Sequence, residues 1–166
     1  MYFNTPWINT VASIYARMVF LFGNFQGLLI FFMRLAWGHQ FFLSGLNRFA
    51  HIDSVIESFK ETHFPLPFLS SYGSAIVEIA GGLALIFGFA SHLFAFLLTI
   101  GMFIAYVSNY PGVFSYFRFL KDPSLLVMQP PFPFFITSLI VTIFGPGKLS
   151  LDAWIKHLLQ KNNKLD

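Results

Sequence analysis

Cysteine is absent from this 166-residue chain. Its absence removes structural disulfides, thiolate metal sites and a quinone-linked thiol relay together, so any redox role has to use a bound cofactor or a partner's thiols. Charge is also scarce. Only 10% of residues are charged, against roughly a quarter in a soluble domain. The basic residues form no run interleaved with aromatics, which leaves no footprint for nucleic acid. His39, His51, His63, His92 and His157 offer no i, i+4 pair within one helix, so no metal site is expected. The chain has neither a glycine-rich phosphate loop nor a hydroxyl–histidine–carboxylate arrangement. No basic residue precedes Arg17 and no small-residue cleavage pattern follows a short apolar core, so no removable signal peptide is expected.

What the chain does have is apolar sequence: 56% hydrophobic residues, with 24 phenylalanines. The apolar residues fall into blocks near the roughly 20 residues that a helix needs to cross a bilayer. The expected fold is an all-α integral membrane protein, a single membrane domain over 1–166 built as a four-transmembrane-helix bundle with amphipathic interfacial helices at both termini. The spans are expected at 25–46, 73–89, 93–108 and 132–145. Val11, Ile14, Tyr15, Met18, Val19 and Phe22 make a helical stripe that predicts an interfacial helix over 7–22, ending at the Gly23-Asn24 break. Ser150 can cap a last interfacial helix over 150–160, with an apolar stripe through Leu151, Trp154, Ile155, Leu158 and Leu159. Four spans put both termini on one side with five cations, Arg17 and four lysines, against four on the other. This count favours cytoplasmic termini.

Within the spans the polar residues are few. Glu78 stands in YGSAIVEIAGGLALIFGF (72–89), where a lone buried charge is prohibitive, so it must be neutral, paired or functional. Ser74, Glu78 and Gly82 at i, i+4 and i+8, with Gly81 beside them, put the acid on a small-residue face of the kind that admits a neighbouring helix. On the first span Gln40, Ser44 and Asn47 share a face, Arg34 lines up with Gly38 and Gly45, and His39 lies on a third side. If Asn47 and Tyr72 mark one membrane surface, Glu78 lies ~9 Å deep, His39 and Gln40 ~11 to 12 Å, and Arg34 ~20 Å. Glu78–His39 or Glu78–Gln40 is then the simpler contact. Haem ligation by His39 lacks an evident second axial ligand.

Three stretches in this order, RLAWGHQFFLSGLNRF (34–49), VEIAGGLALIFGFASHLFA (77–95) and GPGKLSLD (145–152), resemble the DoxX family of small four-helix bacterial membrane proteins over about residues 28–156. The family's first-span arginine and glycine match Arg34 and Gly38, its small-residue position matches Gly45, and its acid with paired glycines matches Glu78, Gly81 and Gly82. Many members carry a histidine near the end of the third span, where this chain reads Tyr106-Val107-Ser108-Asn109. The resemblance implies an inner-membrane protein associated with quinone-linked oxidoreductases, as a subunit or accessory, with a redox partner protein and with quinone as the cofactor or ligand to test. The expected ligand-binding set is Glu78, Arg34, His39, Gln40, Ser44 and Asn47, with Gly38, Gly45, Gly81 and Gly82 packing the helices. A purely structural ion pair, a non-enzymatic scaffold for a soluble partner and a small-molecule carrier all stay open. So do catalysis by this chain alone and its oligomeric state, a homo-oligomer included.

Overall fold

The computed structural model describes residues 6–110, 112 and 118–162. Among these the secondary structure is entirely helical: α1 (Pro6–Ala50), α2 (Ile52–Glu61), α3 (Pro67–Phe87), α4 (Ser91–Asn109), the short α5 (Arg118–Lys121) and α6 (Ser124–Val127), α7 (Pro131–Phe144) and α8 (Leu151–Asn162). Three of them, α1, α3 and α4, are long and apolar enough to cross a membrane. The fourth expected span corresponds to α7, which is apolar but 14 residues long. At about 1.5 Å per residue it reaches only ~21 Å.

The break expected at Gly23-Asn24 is absent. Residues 7–22 and the first span form one helix of 45 residues. A mid-helix glycine costs about 1 kcal/mol, too little to end a helix by itself; termination needs the chain to leave helical φ/ψ. That happens at Gly88, where φ is +71° and α3 stops. Gly23 keeps its helical conformation.

The inward stripe of α1 runs through Ile30, Arg34, Gly38, Phe41 and Gly45, spaced at the three and four residues of one helix face. It lies against α3, antiparallel and at backbone contact. A Cβ on Gly38 would come 2.9 Å from the Gly82 carbonyl oxygen, one on Gly45 2.7 Å from the Ile79 nitrogen, and one on Gly82 2.5 Å from the Phe42 nitrogen. Gly81 faces the other way, toward the Leu98 side chain of α4. Phe41, Leu85, Ala95, Leu98, Met102 and Val141 form the buried core, with Phe134 of α7 set edge-on to Trp37 and Phe41 at centroid distances of 5.0 and 4.9 Å. Near the far end of α4, the Tyr106 hydroxyl donates to the Leu126 carbonyl at 2.7 Å and ties α6 to the bundle.

The turn from α3 to α4 shows how the polar residues of this chain are used. The last carbonyls of a helix and the first N–H groups of the next have no partner within their own helices, and lipid supplies none. Here the Ala84 carbonyl accepts from Gly88 and Phe89. Arg34 donates from Nε to the Leu85 carbonyl at 2.9 Å and from Nη2 to that of Ile86 at 3.4 Å, while Nη1 reaches the Pro146 and Leu149 carbonyls of the glycine-proline-glycine loop. Asp152, from the first turn of α8, accepts from the Ala90 and Ser91 N–H groups at 2.8 and 2.9 Å, and its own N–H donates to the Gly88 carbonyl. A cation thus sits at the negative end of α3 and an anion at the positive end of α4. Gly88 serves twice, since a Cβ there would also lie 2.5 Å from that of Ser150. Asp152→Ala is expected to destabilise the protein by about 1 kcal/mol, the usual cost of a lost N-terminal cap, read as a lower midpoint of thermal unfolding in detergent, with Asp152→Asn closer to wild type.

Candidate functional site

Glu78 is 4% exposed, and its carboxylate lies 3.2 Å from Nε of Arg48. The approach is an ion pair without hydrogen-bond alignment: the Glu78 oxygen facing Arg48 makes no hydrogen bond to any described group. The Ser44 side chain also lies beside the carboxyl. Ser44 and Arg48 are one turn apart on α1, and Arg48 continues the inward stripe by the three-residue step from Gly45. The Arg48 side chain keeps a third of its surface exposed.

The pair lies on the wall of a cleft of about 590 Å³. α3 and α4 touch at Gly81 and Leu98 and part toward the α2 end. There Gly73, Ser74, Val77 and Glu78 face Gly101, Met102, Ala105 and Ser108 across the opening. Nothing lies within 4 Å of where a Cβ on Gly73 or on Gly101 would stand, so absent side chains keep the space open. Leu97, Ile100 and Ile104 give α4 an apolar lining. Asn47 and Arg48 close the α1 side, and α2, with its flanking residues His51 and Thr62, lines the mouth through Ser54 and Ser58. A space of this size, largely apolar with a few convergent polar groups, has the character of a small-molecule site.

The structure separates the residues that the sequence grouped. Glu78 and Asn47 line the cleft, and Ser44 lies beside the Glu78 carboxyl without lining it. Arg34 does neither: it bonds α3 seven residues beyond Glu78, about 10 Å further along the axis. His39 and Gln40 are exposed on the outer side of α1 and touch neither the acid nor the cleft. The expected Glu78–His39 and Glu78–Gln40 contacts are replaced by Glu78–Arg48, and the reason is register. Gly45 faces Ala75 and Ile79, and Gly38 faces Gly82 and Ile86, which puts Ser44 rather than Phe41 opposite Glu78. Levelling Asn47 with Tyr72 therefore misplaces the helices by three residues, about 4.5 Å. The signal for Arg48 was the stripe itself, carried one step past Gly45. Among the described residues no group of three or more histidines and acids could hold a metal ion.

The DoxX family model matches residues 29–111, half of the chain. The protein belongs to the DoxX family. No curated protein and no solved structure matches the chain significantly. The DoxX match covers the inner half of α1, α2, α3 and α4, so Arg48, Glu78 and the whole cleft lie inside it. The glycine-proline-glycine loop, α7 and α8 lie outside, as do residues 6–28.

Proposed function

We propose that this DoxX protein holds the headgroup of a membrane quinone in the cleft beside Glu78 and Arg48, as a subunit of, or accessory to, a quinone-linked redox system of the bacterial cytoplasmic membrane. The observation that carries the reading is a buried carboxylate and a guanidinium on the wall of an otherwise mostly apolar space in a membrane-embedded bundle. A quinone ring presents carbonyl oxygens on opposite edges and carries an apolar tail. The guanidinium of Arg48 donates to one carbonyl, and Glu78 exchanges protons with the ring. The tail leaves between α3 and α4 along Leu97, Ile100 and Ile104. Reduction of the quinone takes up two electrons and two protons. The electrons come from a partner redox protein, and Glu78 passes the protons in turn and is recharged through the polar mouth under α2. With the termini cytoplasmic, as the excess of one cation suggests, that mouth faces the other side of the membrane.

The test is titration of the purified protein in lipid nanodiscs with a tailed quinone, followed by quenching of intrinsic fluorescence. Glu78→Gln and Arg48→Gln are each expected to weaken binding by about tenfold or more, which corresponds to roughly 1.4 kcal/mol. Gly101→Leu, which fills the cleft from α4, should abolish binding while leaving thermal stability near wild type. Binding unchanged in all three folded variants would sink the proposal and favour the scaffold, whose polar groups only hold the helices together.

A further inference from the structure

The first 21 residues of α1, 6–26, lie outside the bundle. Gly147 stands beside Gly27 and Ile30, and Gly88 beside Arg34, so the bundle ends at about this level and residues 6–26 continue beyond it for about 31 Å of helix. Every described side chain from Trp7 to Gln26 is exposed. Yet this arm is not uniformly apolar. At 100° per residue, Asn9, Thr10, Ser13 and Arg17 fall within about 100° of one another. Trp7, Val11, Ile14, Met18 and Phe22 occupy the opposite side and are half to two-thirds exposed. Phe20 is the one large apolar side chain in the polar sector.

A second exposed amphipathic helix starts at the same end. α8 is anchored there by Asp152 and presents Trp154, Leu158 and Leu159 on one side, at 62%, 42% and 62% exposure, with Lys156 and Lys161 elsewhere on its surface. Arg17 and Lys148 add to the positive charge at this end, where Asp152 is already engaged as a cap.

We propose that the arm over residues 7–22 and α8 lie together on the anionic lipid surface at the Arg34 end of the bundle, apolar sides down. The bilayer that surrounds the bundle is continuous with this surface. An apolar sector with an indole at one end, a narrow polar sector and flanking cations are what a helix needs to lie at an anionic interface. In this structure α1 is one continuous helix; the proposed position requires it to bend at Gly23 or Gly27, where an added Cβ would meet nothing within 4 Å and where glycine lowers the cost of leaving helical geometry. Lipid rather than a second copy is the occupant because Arg17, Lys148, Lys156 and Lys161 gather at this end while Asp152 is engaged as a cap; anionic headgroups pair with these cations, whereas a second copy brings the same charges against them.

The natural absence of cysteine makes the test direct. Single nitroxide labels are placed by Met18→Cys and Ser13→Cys on the arm, and by Leu158→Cys and Gln160→Cys on α8. The full chain is reconstituted in vesicles of phosphatidylcholine with about one quarter phosphatidylglycerol. The labels at 18 and 158 are expected to collide with oxygen at least about threefold more, relative to a water-soluble nickel chelate, than those at 13 and 160. Vesicles of phosphatidylcholine alone should narrow the difference. Equal nickel access at 13 and 18 would place the arm in water and overturn the proposal, and so would dipolar broadening at 18, which would put a second copy against the apolar side. A difference that ignored phosphatidylglycerol would overturn the part assigned to charge.

Discussion

Arg34→Ala is expected to be the most destabilising single charge removal in this protein, at about 3–5 kcal/mol, the range for breaking a buried charged interaction. The guanidinium is 1% exposed and donates to four backbone carbonyls in two segments that share no other described hydrogen bond with α1. Removing it orphans the last carbonyls of α3 in a setting where lipid cannot replace the donor, and it opens a void under Gly88, whose Cα side Arg34 fills. Charge alone does not suffice. Arg34→Lys keeps the cation but offers a point charge in place of a planar fork, so it is expected to recover only part of the loss. The measurement is thermal unfolding in detergent, paired with protease susceptibility of the glycine-proline-glycine loop. Equal midpoints for Arg34→Ala and wild type would refute the clasp. Because Arg34 lies about 10 Å along the axis from Glu78, Arg34→Lys should bind quinone as wild type does, which separates its role from that of Arg48.

The helical class and the membrane character were legible in the sequence because composition and block length determine them. The family was legible in three stretches taken in order, of which the first two, carrying Arg34, Gly38, Gly45, Glu78, Gly81 and Gly82, lie inside the matched residues 29–111. The partners of the polar residues were not, and the reason is geometric. Periodicity gives the face on which a residue lies but not the height at which two antiparallel helices meet, and a three-residue slip moves Glu78 from Ser44 and Arg48 to the neighbourhood of Gln40. The register is set by three glycines whose backbones touch, a fact of packing that no single helix records. Arg48 falls just past the span expected at 25–46, although its spacing from Arg34, Gly38, Phe41 and Gly45 assigns it to the inward stripe. The helix end expected at Gly23 failed for a different reason: glycine permits a break, and only a following left-handed conformation or a competing hydrogen bond imposes one. Gly88 has both, and Gly23 has neither.

Gly82→Val is expected to rival the arginine in effect, because what a new side chain would strike here is backbone. The ideal Cβ at position 82 falls 2.5 Å from the Phe42 nitrogen, 2.7 Å from the Gly38 carbonyl oxygen and 2.9 Å from the Phe42 Cα. No rotamer change relieves these contacts, so α1 and α3 must separate. Overpacking in a close-packed interior costs about 1–3 kcal/mol even where side chains can yield; two helix backbones cannot, and a loss at or above the top of that range is expected. The interface that would open also positions Ser44 and Arg48 against Glu78, so the variant should lose quinone binding together with stability. Gly101 is the control. It is also a helical glycine in a span, but nothing lies within 4 Å of its Cβ position, so Gly101→Ala exchanges the conformational cost of glycine for alanine and is expected to leave the unfolding midpoint unchanged or raise it by up to about 1 kcal/mol. Midpoints falling equally in Gly82→Val and Gly101→Ala would show that glycine is required along these helices for a reason other than the contact between α1 and α3. A fall at 82 alone assigns Gly82 to that contact and sets it apart from Gly73 and Gly101, which border the cleft and meet no neighbour.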